Sequence, residues 1–197
     1  MEHEIYISGI GGQGIQLVAK VLALAATSER RYVMLNGFYG FEMRGGISLS
    51  TLVIGDRPLK ALPVAAQVGS AIVLHHHFWD KPMSRLRPDA LVMADAEIAG
   101  QLPPMPLHRV ITADASRLAK EIGNPMVAGM ALMSAFNTAT GLVRTESLVA
   151  AMKEVVPAYR RQHVLANQQA LEMGAAASTP LSHPLALADN GTLGQAA

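Results

Sequence analysis

Residues 4 to 28 constrain this chain more than any other stretch. Glu4-Ile5-Tyr6-Ile7-Ser8 carries the β-branched and aromatic residues of a short strand. Gly9-Ile10-Gly11-Gly12-Gln13-Gly14 follows, and Ile15 to Ser28 places apolar residues at 15, 18, 22 and 25, which is helical spacing. Strand, glycine loop and helix follow one another in that order. They also aim backbone N–H groups at whatever anion lies before the helix. Backbone amides around Gly11, Gly12, Gln13 and Gly14 are therefore candidate phosphate contacts.

The spacing satisfies G-x-G-x-x-G, the dinucleotide fingerprint. Its second half is missing. The next strand, Tyr32 to Leu35, is expected to end at Asn36-Gly37, where a ribose-binding acid belongs. Asn36 is not a carboxylate, so a free-standing Rossmann-type nucleotide-binding oxidoreductase is the alternative here rather than the main reading. A purely structural role, glycines permitting a tight strand-to-helix turn, also stands.

A second glycine-framed stretch is Tyr39-Gly40-Phe41-Glu42-Met43-Arg44-Gly45-Gly46. It has too many glycines for a helix and too few apolar side chains for a core strand. Such a loop presents Glu42 and Arg44 to a ligand or a partner, or pairs them with each other in water, where the pair is worth little. An Arg fork suits phosphate or carboxylate. In that reading Glu42 fixes Arg44, and Gln13 orients either one.

The remaining chain supplies strands over 47–54, 71–74, 90–95 and 109–112 and helices over 115–122, 125–140, 145–156 and 158–173. Asp114 and Ser116 are N-cap candidates for the first of these helices. A stripe of Met126, Met130, Met133 and Phe136 or Asn137 reads as core or as a face for another subunit. His75-His76-His77 follow a core strand. Neighbouring residues on a strand point to opposite faces, so at most two could share a site, and no spaced ligand completes a zinc set. No metal site is expected. Residues 1–174 are expected to form one domain. From Ala175 to the end the composition is that of an extended tail, expected to lie on a partner.

Composition excludes several classes. The 197 residues contain no cysteine, so this chain has no thiolate nucleophile and no cysteine-ligated iron–sulfur cluster. The net charge of +1 leaves no footprint for nucleic acid. No apolar run reaches the length of a membrane span, and Met1-Glu2-His3-Glu4 is not the basic start of a signal peptide, so a cytoplasmic protein is expected. Only 16% of residues are charged, against about 25% in ordinary soluble domains, which suggests a subunit that buries part of its exterior.

The two glycine loops together resemble the gamma subunit, or gamma domain, of the 2-oxoacid:acceptor oxidoreductases. These act on pyruvate, 2-oxoglutarate, ketoisovalerate, indolepyruvate or phenylglyoxylate. Gly55-Asp56, Gly123-Asn124-Pro125 and Thr140-Gly141-Leu142-Val143 support the resemblance, which spans roughly residues 4–173. Phe41 stands where many members have Pro.

The resemblance implies an α/β three-layer Rossmann-like sandwich of the pyruvate-ferredoxin oxidoreductase domain III type. It implies a hetero-oligomer with alpha and beta subunits that bind thiamine diphosphate and Mg, and a ferredoxin-like delta subunit with [4Fe-4S] clusters. Where NAD is the acceptor, a flavoprotein subunit carrying FAD joins them. The complex decarboxylates a 2-oxoacid oxidatively to acyl-CoA. The implied share of this chain is to help form the coenzyme A and active-site region and the subunit interface, through Gly11, Gly12, Gln13, Gly14, Tyr39, Glu42, Arg44, Gly45 and Gly46. No cofactor is expected on this chain alone, no catalytic residue, and no activity in isolation.

Overall fold

The computed structural model describes residues 1–40, 45–59, 67–182 and 185. Six strands form one mixed sheet: β1 (Glu2–Ile10), β2 (Tyr32–Tyr39), β3 (Ile47–Gly55), β4 (Val68–Val73), β5 (Leu86–Asp95) and β6 (Arg109–Ala113). Their order across the sheet is β2-β3-β1-β4-β5-β6. β1, β4, β5 and β6 pair in parallel, while β3 runs antiparallel to both β1 and β2.

The helices are α1 (Ile15–Ser28), the single turn α2 (Asp80–Met83), α3 (Ala115–Glu121), α4 (Ala128–Thr140), α5 (Thr145–Val155) and α6 (Val164–Ala176). All but α2 cover one face of the sheet and share a core with Ile5, Ile7, Leu52, Ile54, Ile72 and Met93. A thinner layer covers the other face over β1, β4 and β5. There Trp79, Ile98 and partly buried Met83, Leu102 and Met105 close over Tyr6, Val73 and Val92. The three-layer architecture expected from the resemblance is present, with unequal outer layers.

Helix α4 lies at the centre of the thick layer. Met130, Met133, Phe136 and Asn137 are all buried, so this stripe belongs to the chain's own core, whereas Met126 is 61% exposed. Asn137 is satisfied by exchanging two hydrogen bonds with the Val143 backbone. α4 and α6 approach so closely that a Cβ on Gly174 would sit 2.2 Å from the Ala131 carbonyl oxygen. Ser134 Oγ donates to the Leu171 carbonyl across the same contact. α6 runs past the expected helix end at 173 to Ala176. Beyond it the Leu181 amide donates to the Ala139 carbonyl at 3.0 Å, and Leu181 and Leu185 rest on the chain's own core.

One strand expectation needs correction. β2 does not end at Asn36-Gly37 but runs to Tyr39, because β3 pairs with it residue by residue, Gly37 opposite Ser50 and Tyr39 opposite Ser48. Tertiary pairing here overrides weak local propensity. On β3, Ser48 and Ser50 rather than Ile47 and Leu49 face the covered side. The Gln16 side chain of α1 lies over Gly37, where a Cβ would meet its amide. Gln16 Nε2 donates to the Leu49 carbonyl across this contact.

Candidate functional site

β1 and β2 both run towards one edge of the sheet, and β3 starts there. The turn after β1 and the connection from β2 to β3 therefore emerge side by side. Gly40 N–H donates to the Ile47 carbonyl at 2.9 Å, where β2 and β3 meet. Gly11 N–H donates to the Gly46 carbonyl at 2.8 Å. The two glycine stretches singled out in the sequence are thus bonded to each other.

Gly12, Gly14 and Gly45 have φ of 104°, 73° and 76°. This left-handed region is open to glycine and strained for other residues. Gly14 is the N-cap of α1, which has no side-chain cap and no acid in its first turn. The first bond of the helix runs from Val18 N–H to the Gly14 carbonyl. The amides before it have no partner within the helix, and the end carries the positive pole of the helix dipole. This is the electrostatic setting for an anion.

Gln13 is held by two hydrogen bonds. Its Oε1 accepts from Ile10 N–H at 2.9 Å and its Nε2 donates to the Leu74 carbonyl at 3.0 Å. The amide clamps the first glycine turn to the exit of β4, and both of its ends are engaged within the domain. Tyr39 is the last residue of β2. Phe41, Glu42, Met43 and Arg44 lie outside the described residues.

An open cavity of about 360 Å³ adjoins the turn, lined by Gly12, Gln13, Ser116, Lys120, Met126 and Gly129 among others. A second, of about 300 Å³, lies on the far side of Met126 and reaches Gly14, Leu17 and His163. Lys120 has no local signal that marks it as a site residue. Its ammonium sits 2.8 Å from Glu97, and that hydrogen bond holds the Glu97 carboxyl below its ordinary range.

The wall is set by Asp95, buried at the end of β5. It accepts from Ser116 N–H at 2.9 Å, from Ser116 Oγ, and from Glu97 N–H at 3.1 Å. Asp114 occupies the N-cap position of α3 but makes no side-chain cap bond. The cap comes instead from Asp95, whose position as an acid closing an apolar strand is the signal for it in the sequence.

The strand argument about the histidines does not hold. β4 ends at Val73 and the chain turns, with Phe78 at φ 64°. The imidazoles of His75, His76 and His77 stack and tilt against one another with centroids 4.4–4.8 Å apart, so all three share one place.

The topology also bears on the dinucleotide alternative. In a dinucleotide-binding unit the second strand lies beside the first and supplies the ribose acid. Here β3 separates β1 from β2. No helix among the described residues is long and apolar enough to cross a membrane.

Comparison with known proteins places this geometry. Residues 4–177 match the family described as pyruvate ferredoxin/flavodoxin oxidoreductase. The 2-oxoglutarate synthase subunit KorC of Methanocaldococcus jannaschii is 29% identical over 160 residues, 80% of this chain and 85% of its own length. The common subunit gamma of the pyruvate/ketoisovalerate oxidoreductases of Thermococcus kodakarensis is 30% identical over 158 residues, 77% of this chain and 85% of that one.

Among solved structures, the gamma subunit of a keto/oxoacid ferredoxin oxidoreductase from Geobacter sulfurreducens superposes with a TM-score of 0.75 at 28% identity. That match covers 89% of this chain and 98% of the subunit. The 2-oxoglutarate:ferredoxin oxidoreductase of Magnetococcus marinus, solved with 2-oxoglutarate, coenzyme A and succinyl-CoA, shares the fold at a TM-score of 0.80 and 17% identity. There the match covers 95% of this chain and 33% of that larger one.

Proposed function

Because the chain belongs to the pyruvate ferredoxin/flavodoxin oxidoreductase family, we propose that it is the gamma subunit of a CoA-acylating 2-oxoacid:acceptor oxidoreductase. It works in a cytoplasmic hetero-oligomer with thiamine-binding alpha and beta subunits and a ferredoxin-like subunit. The carrying observation is the Gly11–Gly46 hydrogen bond beside the uncapped start of α1. Two loops held together at a positive helix end form a surface suited to a phosphorylated carrier such as coenzyme A.

The division of labour follows from the residues. Thiamine diphosphate and iron–sulfur clusters, held by partner chains, would supply the carbanion and electron-transfer chemistry. With no cysteine, this chain ligates no such cluster. Its own part is binding and positioning. Open amides at the start of α1 receive phosphate oxygens, Arg44 and Gly45-Gly46 between β2 and β3 complete the contact, and Glu42 orients Arg44. Gln13 acts behind this surface by fixing the turn. Isolated, the chain has no catalytic group to turn over a 2-oxoacid.

Arg44→Ala in the reconstituted complex tests this. Loss of a charge-assisted hydrogen bond is worth about 1.5–3 kcal/mol, or roughly 10- to 150-fold in coenzyme A affinity. Assembly is checked first by co-elution of the subunits. An assembled complex with unchanged coenzyme A affinity refutes the ligand role and leaves the loops as subunit contacts. Saturable NAD(P) binding by the purified chain would instead support the free-standing alternative.

A further inference from the structure

The histidine turn after β4 takes no part in the function proposed above. His75 and His76 are half-buried and His77 is exposed. One ring nitrogen from each lies within 4.8 Å of the other two. His76 Nδ1 is buried and has no hydrogen-bond partner. His75 Nδ1 accepts from His77 N–H at 3.1 Å, which sets the orientation of the His75 ring within the turn. The left-handed φ of Phe78 keeps the chain folded back instead of extended.

Three imidazoles gathered on one turn, with ring nitrogens within 4.8 Å of one another, offer a donor set for a borderline transition metal. We propose that His75, His76 and His77 form a three-imidazole site for a divalent ion of the zinc and nickel class, at the exit of β4.

Nitrogen-only ligands of this kind favour zinc, nickel or copper, whereas magnesium and calcium require oxygen donors. Zinc–imidazole bonds of about 2.0–2.1 Å place tetrahedral ligand nitrogens roughly 3.3 Å apart. The cluster must therefore contract by about 1.5 Å, within reach of side-chain torsions on a turn that already gathers the rings. Water or a residue from a neighbouring subunit fills the remaining position. Metal at this point would pin the turn that follows Leu74, whose carbonyl holds the Gln13 clamp. The proposal stands independently of the coenzyme A reading.

A run of three histidines binds metal weakly even in an unfolded chain, so the test must isolate what the fold adds. Untagged full-length chain is titrated with Zn²⁺ beside an unstructured peptide of residues 73–81, and Co²⁺ spectra report the ligand geometry. The folded chain is expected to take up one Zn²⁺ at least about tenfold more tightly than the peptide, since its ligands are preorganised. His75→Gln, His76→Gln and His77→Gln are each expected to weaken binding by about tenfold or more and to alter the Co²⁺ bands, with unchanged circular dichroism. Affinity equal to that of the peptide overturns the proposal. So does a folded variant that keeps wild-type affinity and spectrum.

Discussion

Gln13→Ala isolates what the glycine turn owes to its clamp. The substitution removes the acceptor of Ile10 N–H and the donor to the Leu74 carbonyl, bonds of 2.9 and 3.0 Å. Each bond is worth about 0.5–1.5 kcal/mol net, and the two half-buried backbone groups left behind add desolvation cost. The expected loss is about 2–3 kcal/mol. For a domain of this size that is a fall in Tm of roughly 5–10 °C.

Gln13→Glu is the sharper variant. A carboxylate still accepts from Ile10 but sets a second oxygen against the Leu74 carbonyl. It should be at least as destabilising at neutral pH, and part of the difference from wild type should return once acid protonates the carboxyl and restores a donor. Urea unfolding of both variants at pH 7 and near pH 4.5 measures this. A loss below about 0.5 kcal/mol for Gln13→Ala would refute the clamp, because two engaged bonds cannot vanish without a larger effect. If coenzyme A affinity changed instead, the side chain would belong to the ligand surface.

Gly174→Ala is expected to destabilise the chain by about 3 kcal/mol, because the new methyl meets the Ala131 backbone and the two helices must part. Urea unfolding checks it, and a loss of under about 1 kcal/mol would mean that the α4–α6 contact is looser than described. His3 supplies a pH signature. Burial, then the N-terminal ammonium and Arg87, lower its pKa below 6.5, against an opposing pull from Asp56. The unfolded chain therefore takes up the proton first, and stability contributed by neutral His3 is present above pH 6.5 and is lost as pH falls through the depressed folded value. His3→Gln should flatten that slope in urea titrations between pH 7.5 and 5, and an unchanged slope would remove His3 as its source.

The unit from Glu4 to Ser28 was legible because glycine placement and helical spacing are local signals. Gly123 and Gly141 directly follow the expected helix spans 115–122 and 125–140, and both take the left-handed φ of a helix end. What escaped depends on partners distant in sequence. Nothing local shows that β3 would insert antiparallel between β1 and β2, or that this pairing would carry β2 through Asn36-Gly37 to Tyr39. The two glycine stretches could be named as candidates, but their direct bond needed that insertion. The turn at Phe78 was equally hidden, and with it the gathering of three histidines that strand geometry would have spread apart. Gln13 was named as a candidate, yet its engagement with Leu74 relies on β4 lying beside β1.

The antiparallel placement of β3 has one more consequence. Ile10 faces Ile47 on the last paired rung of β1 and β3, and Gly11 and Gly46 come immediately after it. The separation of the two bends is therefore inherited from the strand ladder. Sliding one strand against the other by a single residue would turn every side chain to the opposite face, so the mouth cannot widen or narrow without undoing the sheet beneath it. If the proposed coenzyme A contact holds, what is accepted there is set by the residues between β2 and β3 and by the docked neighbours, while the frame itself stays a fixed gauge.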